Sequence, residues 1–165
     1  MAAATPMFIA DATLGRLVTW LRLLGYDTVY VPAASVPALL QRARAERRTL
    51  LTRNRRVALR RDPPPYVLVE SDHYRQQLRQ VIDACDLAAA STFLVRCSRC
   101  NTPLERLAPA TACRTVPPYV CETQTAFARC PTCSRIYWPA THVTRMRAEL
   151  ERMGLPVPKS VTGER

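Results

Sequence analysis

Phe8-Ile9-Ala10-Asp11-Ala12-Thr13-Leu14-Gly15-Arg16-Leu17-Val18-Thr19-Trp20-Leu21-Arg22-Leu23-Leu24-Gly25-Tyr26-Asp27-Thr28-Val29-Tyr30-Val31 reads without a break as strand, acidic turn, helix and second strand. Apolar residues at Leu14, Leu17, Val18, Leu21 and Leu24 keep the spacing of a helix with one buried face, and Gly25 stands where such a helix stops. Thr28 to Val31 suits a short buried strand. Strand, helix and strand open a βαβ unit, whose ligands collect beyond the carboxyl ends of its strands. Asp11, the one early carboxylate, falls at such an end.

The pattern continues downstream. Pro32 to Pro37 reads as a linker, and Val36, Leu39, Leu40 and Ala43 mark a short helix. Thr49-Leu50-Leu51-Thr52 is a third strand, followed by Arg53-Asn54-Arg55-Arg56 in a turn and a basic helical segment through Arg61. Pro63-Pro64-Pro65 forces an extended break before a fourth strand, Tyr66-Val67-Leu68-Val69. Tyr74, Leu78, Val81, Ile82 and Cys85 then keep helical spacing to about Leu87. Four strands alternating with helices predict a three-layer α/β domain over residues 1–90, built on a parallel sheet with right-handed crossovers.

From Ser91 the pattern changes. Phe93-Leu94-Val95 leads into Cys97-Ser98-Arg99-Cys100, and after 29 further residues comes Cys130-Pro131-Thr132-Cys133. Paired C-x-x-C knuckles supply two thiolates each from a tight turn, the donor set of tetrahedral Zn²⁺ in a small β ribbon. Cys97, Cys100, Cys130 and Cys133 are therefore the expected metal ligands. A segment this short has a small core, so bound metal contributes much of its stability. Val143, Met146, Leu150 and Met153 mark a C-terminal helix closing a second domain over 91–154, and residues 155–165 read as a loose tail. Cys85 falls on an apolar helix face and reads as a buried small hydrophobe. Cys113 and Cys121 have no further ligands at metal spacing and read as structural or incidental.

The net charge is +11, carried almost wholly by arginine, since Lys159 is the only lysine among 24 basic residues. Both halves of the chain share the excess. A pI near 10 suits a polyanionic partner, and arginine's planar fork fits phosphate. No run of about 18 apolar residues exists, which argues against a membrane span. The start lacks the basic and long apolar parts of a signal peptide, and an odd cysteine count of seven argues against an extracellular disulfide framework. The expected location is cytoplasmic.

Several stretches, in this order and spacing, resemble the Mut-seven C-terminal RNase domain family, a PIN-like nuclease fold followed by a zinc ribbon. They are Phe8-Ile9-Ala10-Asp11, Leu14-Gly15-Arg16-Leu17, the run from Trp20 to Asp27, Leu51-Thr52-Arg53-Asn54-Arg55 and Gln77-Leu78. In the ribbon they are Arg96-Cys97, Cys100-Asn101, Cys130-Pro131-Thr132-Cys133 and Tyr137-Trp138 with His142. The resemblance implies a metal-dependent ribonuclease in which acidic residues at strand ends hold Mg²⁺ or Mn²⁺. Such an ion stabilises charge on the phosphodiester transition state and generates hydroxide from bound water. Asp11 matches the first acidic position, Asp72 is a further candidate past the fourth strand, and Glu46 is another near the third.

The chain departs from the family where Thr-Arg-Asp is usual, because it has Thr52-Arg53-Asn54. Asparagine ligates through its carbonyl oxygen but brings no charge. Two functions from different classes follow. One is a metal-dependent ribonuclease, with Asp11, Asn54 and Asp72 around the ion and Arg16, Arg22, Arg53 and Arg55 on phosphates. The other is a non-catalytic protein that binds RNA, such as tRNA, rRNA or the ribosome, through the same fold and basic surface. An adaptor role through the ribbon is a third, since zinc ribbons also bind proteins. His73 and His142 read as surface or capping residues.

Overall fold

β1 (Phe8–Ala10) is buried along its whole length and runs parallel to both of its neighbours. The computed structural model describes residues 5–87, 92–139, 141–155, 157–158 and 160–161. Of Thr92, His142, Ser160 and Val161 only the backbone is described, so the expected part of His142 in the ribbon lies outside what is described.

The chain divides into two compact units, Met1–Leu21 with Tyr26–Ala88, and Arg22–Gly25 with Ala89–Arg165. In the first, β1 is followed by α1 (Gly15–Leu23, of which Arg22 and Leu23 count with the second unit), β2 (Thr28–Tyr30), α2 (Val36–Ala45), β3 (Thr49–Thr52), β4 (Tyr66–Leu68) and α3 (Tyr74–Ala84). The strands form one parallel sheet in the order β2-β1-β3-β4. The chain moves from β1 to β2 on one side, then returns across β1 to β3 on the other. Right-handed crossovers in opposite directions put α1 and α2 on opposite faces, which makes the three layers. The reversal lies between β1 and β3, the switch point where the carboxyl ends of strands leave a crevice.

Strand alternation fixes what each face buries. Ile9 and Leu50 are aligned neighbours and pack with Leu39, Leu40 and Ala43 of α2 and with Val57. A Leu50→Ala change there removes buried methyls worth about 2–5 kcal/mol. Leu14, Leu17, Val18 and Leu21 of the first crossover, and Leu78 and Val81 of α3, are likewise buried. Two local readings are corrected. Ser35 caps α2 at Val36 and Pro37 sits in its first turn, where a missing N–H costs nothing, so the linker ends earlier than Pro37. The basic stretch after Thr52 makes only a 3-10 turn at Arg55–Val57, not a helical segment through Arg61.

The second unit contains β5 (Thr92–Phe93), β6 (Glu105–Leu107), α4 (Pro109–Ala112), α5 (Pro118–Thr123), β7 (Phe127–Arg129), β8 (Ile136–Tyr137), α6 (Thr141–Arg152) and β9 (Ser160–Val161). β6, β7 and β8 form an antiparallel sheet. The insert between the knuckles is more than a β ribbon: it carries α4 and α5, and Ala112 of α4, Val116 of the turn between them and Val120 of α5 pack with Phe127. Cys113 and Cys121 are joined there as a disulfide, with Cα atoms 5.4 Å apart. The tail is corrected in part, since Ser160 and Val161 pair in parallel with β5. The expected boundary at 90/91 and residues 156, 159 and 162–165 lie outside the described residues.

Candidate functional site

Asp11 is the first residue past β1, at the switch point. Its Oδ1 accepts from the Thr13 amide at 2.9 Å and the Thr13 hydroxyl at 2.6 Å, which caps the 3-10 turn Ala12–Leu14 leading into α1. Its Oδ2 accepts from the Thr52 hydroxyl at 2.6 Å and the Arg53 amide at 3.1 Å, both at the end of β3. One carboxylate thus joins the ends of two parallel strands. Burial raises its pKa, but the bonds from Thr13, Thr52 and Arg53 outweigh that, and the net shift is downward.

Asp11, Thr13, Thr52, Arg53 and Asn54 line a pocket of about 320 Å³ together with apolar residues that include Val36, Leu39, Leu50 and Val57. Asn54 lines the same pocket as Asp11, and its Oδ1 accepts from the Arg56 amide and caps the next 3-10 turn. Asp72 is highly exposed and pairs with Arg53, Oδ1 to Nη1 at 2.5 Å, instead of capping α3, whose cap residue is His73. Arg53 Nε is buried without a hydrogen-bond partner among the described residues.

Glu46 is corrected as a candidate. It lies before β3, at the amino edge of the sheet, where it accepts from Arg42 at 2.6 Å and Arg48 at 2.5 Å. Arg48 also holds Asp27, just before β2. Because all four strands are parallel, that cluster and Asp11 are at opposite edges.

The arginines divide. Arg16 and Arg55 are exposed, and Arg53 is half-buried in the pocket wall. Arg22 is corrected as a phosphate contact: it is buried, and its Nη1 donates to the carbonyls of Ser98 and Arg99 at 3.0 and 2.8 Å. It braces the first knuckle from within. Sequence periodicity alone could not separate it from Arg16, since both are basic positions on one helix.

A divalent hard cation needs several carboxylate oxygens in one small space. The pocket offers one carboxylate, whose roughly four lone-pair positions are filled by four donors. Asn54 adds a neutral oxygen that already caps a turn. Apart from the four cysteines, no group of three or more carboxylate, histidine or cysteine side chains converges among the described residues. The residues present do not fit Mg²⁺ or Mn²⁺.

The cysteines do fit a metal. The ligand sulfurs of Cys97, Cys100, Cys130 and Cys133 all lie within 4.8 Å of one another, and Cys97 and Cys133 are 3.7 Å apart. A tetrahedron with metal–sulfur bonds near 2.3 Å has edges of about 3.8 Å. The two knuckles are copies of one turn. Asn101 donates to Cys97 O and Ser134 to Cys130 O, both at 2.9 Å, and both donors are left-handed, at φ 68° and 60°. Asparagine tolerates that region, and this was a readable signal of the turn after the second cysteine. Burial pushes the Cys97 thiol up, but bonds from the Tyr137 hydroxyl and from backbone amides bring it down to about 6. Cys100 is pushed up to about 12, first by its hydrogen bond with Cys133. Four sulfurs this close share negative charge only with a cation among them.

Fold and sites together define a class: a parallel α/β domain with a crevice at its switch point, followed by a four-cysteine metal ribbon. The chain belongs to the Mut7-C RNAse domain family, whose model matches residues 6–150. Searches of the curated proteins and of the solved structures return no match. No helix among the described residues is long and apolar enough to cross a membrane.

Proposed function

We propose that this chain binds RNA at the carboxyl edge of its parallel sheet and does not hydrolyse it with a metal ion, so that a nuclease fold serves as a binding platform. The observation that carries this reading is the saturation of Asp11 by four donors from the chain itself. The carboxylate thereby locks the switch point in place of ligating a cation. Arg16, Arg53 and Arg55, from the loops and helix starts that frame this edge, offer guanidinium groups to phosphate. The metal of the cysteine site is Zn²⁺, the ion whose tetrahedral preference matches four thiolates, and its role is to hold the ribbon.

A second reading is metal-dependent phosphodiester hydrolysis by Asp11, Asn54 and Asp72, favoured by membership of an RNase domain family. Fluorescence anisotropy of a labelled single-stranded RNA, followed by gel analysis of the same samples after addition of Mg²⁺ or Mn²⁺, separates the two. Binding with intact RNA supports the first; metal-dependent shortening supports the second.

A further inference from the structure

Trp20 of α1 and Tyr74 of α3 lie with ring centroids 6.1 Å apart and planes within 12° of parallel. The Arg16 guanidinium carbon is 4.3 Å from the Tyr74 centroid and that of Arg75 is 5.3 Å away. Arg16 and Trp20 are one helical turn apart, so they present neighbouring side chains to the same ring. All belong to the first unit. Tyr74 follows Asp72 by two residues, and Asp72 pairs with Arg53 of the pocket wall. Arg16 follows Asp11 by five residues.

Packing inside the fold would by itself explain an aromatic pair, and Phe8 of β1 with Tyr26 is such a pair, edge to face and buried. The Trp20–Tyr74 pair differs in three respects. Its rings are half-exposed and near parallel, and Arg16, laid on the Tyr74 ring, makes no ion pair among the described residues. A guanidinium over a ring keeps its N–H edges for an oxyanion. π faces interleaved with cations, beside a basic edge, are the chemistry by which unpaired bases are held.

We infer that Trp20, Tyr74 and Arg16 form a base-stacking subsite for one unpaired nucleotide of an RNA strand, the base extending the aromatic stack and Arg16 taking its phosphate. The inference rests on the RNA-binding reading and adds a selectivity to it. A duplex hides its base faces, so this subsite selects single strands.

Trp138→Phe leaves Trp20 as the only tryptophan of the full chain. Titrating that zinc-loaded protein with a mixed-sequence single-stranded RNA should change Trp20 fluorescence along the same isotherm as anisotropy, whereas the matched duplex at equal salt should leave Trp20 unchanged. Tyr74→Ala should weaken single-strand binding roughly 5- to 150-fold, and Tyr74→Phe should restore most of it, since a phenyl ring still stacks. The restored variant separates stacking from a folding defect. If single strands bind with no Trp20 change, or if an abasic strand binds as well as the normal one, the subsite is overturned while RNA binding stands. If neither form of RNA binds, both readings fail together.

Discussion

Asp11 shows how one side chain decides between a catalytic and a structural reading of the same position. An aspartate at a strand end before a helix can be a metal ligand or a cap, and the sequence is the same for both. The structure gives it both duties of a cap and a latch, on Thr13 and on Thr52–Arg53. Asp11→Ala should therefore cost about 1–3 kcal/mol in urea unfolding, because the part-buried Thr52 and Arg53 donors lose a charged acceptor. Its pH signature has a definite sign. The folded pKa is lowered from 3.8, so the stabilisation is complete above that value and is lost as pH falls through the folded one. Asp11→Asn, which cannot titrate, should show less loss of stability below pH 4 than the natural chain; equal acid slopes would contradict the latch.

Position 54 carries the opposite test. Asn54→Asp keeps the cap, since aspartate caps as well as asparagine, and adds a second carboxylate to the pocket. A charge a few ångströms from a cation is worth on the order of a few kcal/mol before desolvation is subtracted. Calorimetric titration with Mn²⁺ should detect binding in the variant where the natural chain shows none. Unchanged binding would place residue 54 outside any cation site.

Among the elements, those with strong periodicity were legible: the parallel strands, α1, α3 and α6 follow from apolar spacing, and the cysteine knuckles from their repeat. α4 and α5 were not. Each is one or two turns, begins at proline, and owes its existence to packing on Phe127, a contact that local pattern cannot reveal. The Cys113–Cys121 pairing was hidden for the same reason. Of the candidate site, the grouping of Asp11 with Asn54 came from the family resemblance, and that both stand at the pocket follows from the pairing of β1 with β3, which local pattern does not give. The burial of Arg22 and the placing of Glu46 at the wrong edge needed the packing and sheet direction. The ribbon makes its own prediction. Elemental analysis should find one zinc per chain, and Cys97→Ser with Cys130→Ser should remove it and abolish protection of the β6–β7–β8 amides from hydrogen exchange. Zinc retained in that double variant would contradict the ligand set.

At the scale of the whole molecule, charge is the dominant feature: +11 on 165 residues, nearly all of it arginine. RNA binding through phosphate neutralisation releases counterions, so the logarithm of affinity should fall linearly with the logarithm of salt, by roughly 0.7 per phosphate contacted on a single strand. A flat dependence between low and physiological salt would remove the nucleic-acid role. The most direct test of binding without cleavage is a single incubation. End-labelled single-stranded RNA is held with an excess of the natural, zinc-loaded protein and millimolar Mn²⁺, at a concentration where anisotropy shows the RNA fully bound. The predicted result is RNA that stays full length on a denaturing gel. Shortening of the RNA that requires Mn²⁺ and disappears with Asp72→Asn would contradict it.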